Sequence, residues 1–364
     1  MCVVFLKIKL FDVSIGKGEE LAINKVLKSH FWASGKGTNN VKKFENSFQN
    51  YVDAKNCVAV NSGTAALNLA LSLIDLKDKE VIVPSLTFVS SVHAIVLNGG
   101  KPIFVDVEPD TLCMDPKLLT NLISDKTAAI LPVHFAGMPC KMDKISNICK
   151  KNNLSIVEDA AHAAGTNYKN KKIGSHGSTV CFSFHPVKNL AMPTGGLIAL
   201  NDRDHNKQKK LLESRRWCGI SDRNGSSYDI KELGWNYYMN EFSASIGLLQ
   251  LKKLDRMNNL RKKIAYRYHK EIKLDEKIPF DKNCSYHIFW IRVKNRKKFM
   301  ELMSKKGIET GIHYNPIHNT TLYNKKTKLP VTEKVGKEIV SIPMHTNLTD
   351  SNIDYIISNI NKLV

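Results

Sequence analysis

Three short segments carry side chains whose types and spacing could do chemistry together. The first, VAVNSGTAAL, ends an apolar run at Asn61-Ser62-Gly63-Thr64. Gly63 lets the backbone approach a ligand closely, and the free N–H groups opening the next helix favour an anion such as phosphate. The second, LSIVEDAAHAAG, closes an apolar run with Asp159 and places His162 just beyond it. A carboxylate ending a buried run needs a cationic or hydrogen-bonding partner. The third, FSFHPVKNLAMPTGG, sets Lys188 among aromatic, Ser, His and Pro residues, ahead of Gly195-Gly196. A lysine in apolar surroundings loses its proton more easily, and a neutral amine can condense with a carbonyl.

Taken singly, each segment also has an ordinary structural explanation. NSGT reads as a helix N-cap, Asp159 as half of a salt bridge or a cap, and His162 and Lys188 as a core histidine and a surface lysine. Together they are the protein parts that pyridoxal phosphate needs. The lysine holds the aldehyde as an imine. The carboxylate keeps the pyridine nitrogen protonated, so that the ring can accept carbanion electrons. The phosphate seat fixes the ring's orientation.

Such parts meet only if a scaffold brings them to one edge. Short apolar runs at 80–84, 102–107, 128–134, 154–159, 179–184 and 196–200 read as strands of a buried, mainly parallel sheet. Helical patterns fall between several of them, at VKKFENSFQNYV, TAALNLALSLI and about 88–97. The alternation predicts an α/β fold, an open sheet covered by helices, which binds ligands beyond the carboxyl ends of its strands. A long helix is expected over about 241–273. After it come a strand in SYHIFWIRV, a helix in RKKFMELMSKKG and a terminal helix in DSNIDYIISNINKL. The reading divides the chain into a large domain, 1–259, and a smaller C-terminal α/β domain, 260–364.

Composition limits the function classes. The chain has 364 residues and a net charge of +20, spread in short clusters without a long basic block or interleaved aromatics. Neither a nucleic-acid partner nor a membrane is expected from this. The opening MCVVFLKIKLF reads as a terminal strand or extension, because no basic segment precedes it and no cleavage site follows. The eight cysteines form no CxxC pair. No metal site is expected, and the thiols suit a reducing cytoplasm.

NSGTAALNLAL, VIVPSLTFVSSVHAI, PIFVDVEPDTL, IVEDAAHAAGT, FSFHPVKN, GWNYYMNEFSASIGLLQL, GIHYNPIH and SIPMHTNLTD occur in the order seen in the DegT/StrS family of sugar aminotransferases. The resemblance covers about residues 10 to 356. It implies the type I, aspartate aminotransferase-like fold of pyridoxal-phosphate enzymes. Lys188 matches the family's Schiff-base lysine, Asp159 the carboxylate on the pyridine nitrogen, and His162 the residue near the ring's phenolic oxygen. Gly63, Thr64 and Ser183 match phosphate-binding positions, and Phe88 the aromatic on the ring face. Asn236 matches an asparagine that reaches the phosphate of the neighbouring subunit's cofactor, which implies a homodimer with shared active sites. His313 and Tyr314 match a stretch near the sugar-nucleotide site. His185, close to the lysine, is grouped with them as a candidate substrate contact of undefined role.

The activity implied is transfer of an amino group from L-glutamate to a nucleotide-linked keto-sugar, a step of amino-sugar and polysaccharide synthesis. The alternatives are amination at another ring carbon, a keto-sugar dehydratase, or a non-catalytic binding protein. Some relatives carry His in place of the lysine and act as dehydratases, so Lys188 favours transamination. Two departures stand out. Pro193-Thr194 precede Gly195-Gly196 where many members read Gly-Glu-Gly-Gly, and Tyr238 stands where arginine is common. Both bear on the sugar pocket or the subunit contact rather than on the cofactor.

Overall fold

A computed structural model describes residues 7–324 and 327–364. The first six residues of the expected terminal strand lie outside the described residues; Ile8, just after them, pairs in parallel with Ile308.

The chain begins with helices α1 (Lys17–Lys28) and α2 (Asn39–Val52), then alternates β1 (Asn56–Val60), α3 (Gly63–Leu71), β2 (Glu80–Pro84), α4 (Val89–Leu97) and β3 (Lys101–Val105). It continues through β4 (Thr127–Ile130), α5 (Met142–Lys151) and β5 (Ser155–Asp159) to a small hairpin of β6 (Asn167–Tyr168) and β7 (Lys171–Lys172). Strands β8 (Thr179–Ser183) and β9 (Gly196–Leu200) follow, then α6 (His205–Arg215) and an exposed hairpin, β10 (Ile220–Asn224) and β11 (Ser227–Ile230). Helix α7 (Glu241–Glu271) leads to β12 (Phe289–Arg292), α8 (Arg296–Lys305), α9 (Pro330–Glu338), β13 (Ile339–Ile342) and α10 (Asp350–Leu363).

Seven strands form the main sheet, in the order β1-β9-β8-β5-β4-β2-β3. Neighbours from β3 to β8 run parallel, whereas β9 runs antiparallel to both β8 and β1. Strand β1 therefore points the same way as β2, β4, β5 and β8. Their carboxyl ends share one edge, and β9 starts from that edge. The expected strand at 196–200 is present but reversed. The connection before it, 184–195, holds no helix, and without a crossover helix the chain turns back rather than returning to a parallel position.

Burial on both faces explains why the strands read as unbroken apolar runs. Val58, Val60, Val157, Cys181 and Ile198 face one core with α3 and α4. Cys57, Ala59, Val180, Phe182 and Leu197 face another with α2 and the start of α7. Phe182 and Phe184 lock β8 through edge contacts with Phe48 and Phe44, at ring-centroid distances of 4.9 and 5.3 Å. Ser183 lies between them in sequence and faces the other way. On β1, the buried Glu45 carboxylate accepts from Ala59 N–H at 2.9 Å and from Arg216 at 2.7 Å. Arg216 also donates to the Ala59 carbonyl at 2.8 Å, so this ion pair fixes the strand that leads to Gly63.

The expected boundary at residue 260 falls inside α7, which runs through it unbroken. One apolar cluster spans both sides, joining Ile82, Val105 and Ile130 of the large sheet to Trp290, Ile342 and Ile356.

Candidate active site

The loops at the carboxyl edge enclose a cavity of about 280 Å³. At one end stands the start of α3. Ser62 caps the helix, its Oγ accepting from Ala65 N–H at 3.1 Å. Gly63 follows, and a Cβ there would come within 2.6 Å of the Ser183 side chain, so no larger residue fits without displacing β8. Thr64 Oγ1 lies 2.7 Å from Ser90 Oγ. The Thr194 hydroxyl donates to the Asn61 carbonyl. Hydroxyls and helix N–H groups thus converge without a carboxylate, a seat suited to phosphate.

Across the cavity β5 ends at Asp159, buried at 4% exposure. Its Oδ2 accepts from Ser91 Oγ at 2.7 Å and its Oδ1 from Ala161 N–H at 3.0 Å. Thr87 Oγ1, 2.8 Å from Ser91 Oγ, holds that hydroxyl in turn. The carboxylate is oriented by neutral donors and forms no ion pair among the described residues, which suits it to a cationic ring N–H of a ligand.

Lys188 lies on the loop between β8 and β9, in a turn closed by its own N–H to the His185 carbonyl at 2.8 Å. Burial pushes its ammonium pKa down to about 8, against the opposing pull of Asp159. Its Nζ lies 3.4 Å from His287 Nε2. Three imidazoles border the amine. Burial, with the Lys188 charge, holds His162 and His287 well below the ordinary imidazole range and brings His313 to about 4. His162 Nδ1 accepts from Ala136 N–H at 3.2 Å, so the neutral ring carries its proton on Nε2, 3.1 Å from the Tyr314 hydroxyl.

The sequence-derived candidates sort as follows. Gly63, Thr64, Phe88, Asp159, His162, Ser183, His185, Lys188, His313 and Tyr314 all line this one cavity. Phe88, 55% exposed, leans on Tyr314 with ring centroids 5.8 Å apart. His185 stands exposed at the mouth. Asn236 does not line it. Its carbonyl accepts from Asn61 Nδ2 at 3.3 Å, beside the phosphate seat. Two larger crevices, each about 480 Å³, lie elsewhere, one toward the amino ends of β5 and β8 and one in the C-terminal part.

Sequence reasoning missed Ser91 and His287. A signal existed for Ser91: in a helix beginning near Phe88, it returns to the face that looks at the strand ends. None existed for His287, which sits in a segment that reads simply as a strand.

These residues fit pyridoxal phosphate. A glycine-limited seat would take the phosphate, a carboxylate without a counter-cation among the described residues would meet the ring nitrogen, and a lysine with a depressed pKa lies in the same cavity. Residues 13–361 match the DegT/DnrJ/EryC1/StrS aminotransferase family. An uncharacterized protein of Methanocaldococcus jannaschii is 34% identical over 97% of each chain. A Streptococcus pneumoniae protein described as a sugar aminotransferase, solved in its PLP form, superposes with a TM-score of 0.93 at 27% identity over 98% of both chains. Its PMP form also has a TM-score of 0.93. Helicobacter pylori PseC, an aminotransferase involved in the biosynthesis of pseudoaminic acid, gives 0.91 at 26% identity over 98% of both chains.

Proposed function

Because the chain belongs to the DegT/DnrJ/EryC1/StrS aminotransferase family and is a pyridoxal-phosphate-dependent transaminase, we propose that it aminates a nucleotide-linked keto-sugar at the expense of L-glutamate. The acceptor is a 4-keto-6-deoxy hexose on a UDP, GDP or dTDP carrier, and the product feeds surface-glycan synthesis. The observation that carries this reading is the meeting of Lys188, Asp159 and the α3 seat in one cavity.

When bound, pyridoxal phosphate supplies the electron sink and carries the amino group between donor and acceptor. The chain's own residues do the rest. Gly63, Thr64, Ser183 and the α3 N-terminus would hold the phosphate. Asp159, oriented by Ser91 and Ala161 N–H, would receive the ring N–H. His162 stays uncharged and presents Nε2–H. Phe88 would cover a ring face. Lys188 Nζ removes the proton from the donor α-carbon and, in the second half-reaction, delivers one to the former carbonyl carbon of the sugar. Lowering its pKa from 10.5 to about 8 raises the neutral fraction at pH 7 about 300-fold, which is what a proton acceptor requires. L-Glutamate leaves as 2-oxoglutarate and the keto-sugar as an amino sugar, so the exchange balances.

The working unit is a homodimer in which Asn236 reaches the neighbour's phosphate seat. Exposed Ile15, Leu21, Phe31 and Trp32, around α1, support a surface that a second copy covers. The free cysteines among the described residues suit a cytoplasmic, reducing compartment. The reading is tested by supplying L-glutamate and a panel of keto-sugar nucleotides, then measuring 2-oxoglutarate and amino sugar together. Equal yields of both from at least one 4-keto-6-deoxy hexose are expected. Conversion of none would overturn the acceptor class.

A further inference from the structure

We propose that His287 is a positioning residue whose neutral imidazole receives the free Lys188 amine through Nε2 and aims it into the cavity. The proposal rests on the assignment of Lys188 as proton carrier.

His287 is buried at 1% exposure, just ahead of β12, and its Nε2 lies 3.4 Å from Lys188 Nζ. Its Nδ1 is buried and has no hydrogen-bond partner. A ring fixed only for packing would gain by turning a nitrogen toward a donor or acceptor. This one is aimed instead. Phe11 stacks on it at 5.5 Å and His162 packs against it at 4.5 Å between centroids. Its backbone N–H donates to the Ala136 carbonyl at 3.0 Å, while Ala136 N–H serves His162 Nδ1. Ala136 thus ties down both histidines.

The charges around the ring settle what it can do. Burial first, and then the charges of Lys188 and Arg261, oppose a proton on it, while His162 and His313 beside it are neutral. The one carboxylate of the cavity, Asp159, acts on Lys188 rather than on the imidazole. An imidazolium here would face Lys188 on the β8–β9 loop and Arg261 on α7, with no carboxylate against the ring among the described residues. His287 is therefore a neutral ring and not a general acid, and in the tautomer proposed here its proton sits on Nδ1 and Nε2 is the acceptor. The amine gains one directional partner when it is free of the cofactor, and the long 3.4 Å contact leaves it able to swing away.

Two substitutions separate positioning from packing. His287→Leu removes the acceptor and keeps an apolar filling. His287→Gln restores an oxygen near the place of Nε2. The first readout is the pH at which Lys188 becomes half-reactive toward an amine-modifying reagent, followed by peptide mass spectrometry on the full-length chain freed of cofactor. It needs neither donor nor keto-sugar, so it decides even where the acceptor class is wrong. An ammonium that loses its acceptor becomes more acidic, so His287→Leu moves the midpoint below that of the unaltered chain. In holoenzyme turnover kcat falls about tenfold with little change in KM. His287→Gln recovers most of both effects. An upward shift in His287→Leu would show that the ring acts as a cation and would overturn the proposal. So would an unchanged midpoint, or losses in His287→Gln as large as those in His287→Leu.

Discussion

The cavity has two halves of different origin. One is made of strand ends: Gly63 after β1, Asp159 at the end of β5, Ser183 and Lys188 at and after β8. The ladders of the main sheet fix it. The other comes from the C-terminal part: His313 and Tyr314 line it, and His287 stands 3.4 Å from Lys188 Nζ. Side-chain bonds pin it. His318 Nδ1 lies 2.7 Å from Ser85 Oγ at the end of β2, and His313 Nδ1 lies 2.9 Å from Ser341 Oγ on β13. The first half holds the groups to which the proposed function gives proton exchange and cofactor binding. The second holds uncharged histidines and a tyrosine whose hydroxyl burial pushes far up. The difference suggests a division in which strand ends do the chemistry and the C-terminal segment sets how it is aimed and on what.

The largest effect should fall on the strand-end half. Lys188→Ala removes the proton carrier and should lower turnover by at least about 10³-fold. Steady-state assays with the active donor–acceptor pair check it, and near-normal activity would break the division at its centre. Asp159→Asn should come next. It keeps the shape but removes the charge that faces the ring nitrogen. The expected cost is on the order of 10²-fold in kcat, the scale of one preorganised electrostatic contact. The melting temperature should stay close to that of the unaltered protein, because the amide oxygen can keep the Ala161 N–H while Ser91 Oγ, which also reaches the Phe88 carbonyl at 3.2 Å, turns to accept from the amide N–H.

Legibility in the sequence followed the same division. Gly63, Asp159 and Lys188 each stand a few residues past an apolar run, so their meeting at one edge follows from strand direction alone. Even the reversed β9 keeps the pattern, since reversal returns Gly195 to the edge that carries Lys188. What local pattern could not convey was distance. The histidine in SYHIFWIRV looks like any residue of a buried strand, and its approach to Lys188 depends on where α7 delivers the C-terminal part. Helix α7 was readable from its spacing. The expected division at residue 260 lies within the expected helix of about 241–273, and α7 continues straight through it.

A pH profile sharpens the comparison further. Lys188 must be neutral to accept a proton, and its pKa is about 8. The rate should therefore fall as pH drops through that value, by about tenfold per unit below it. His313, brought to about 4, and the more depressed His162 and His287 stay neutral across that range. A single limb is therefore expected between pH 8 and about 5. A second limb near the ordinary imidazole range that persists when the exposed His185 is replaced by Gln would mean that a buried histidine titrates during turnover, and the division would fail.

The smallest effect should come from Tyr314→Phe. Its hydroxyl lies 3.1 Å from His162 Nε2, and its ring packs against Phe88 at the cavity mouth. The ring survives the change and only the hydrogen bond is lost, a matter of about 1 kcal/mol or about fivefold. Where that loss appears is informative. His162 has already been fixed by Ala136 N–H on its other nitrogen, so its tautomer does not depend on Tyr314. If the C-terminal half governs substrate fit, the loss should appear in KM for the acceptor, with kcat nearly unchanged. A loss confined to kcat would instead tie Tyr314 to the reacting centre through His162, and would place part of the chemistry in the half that the sheet does not hold.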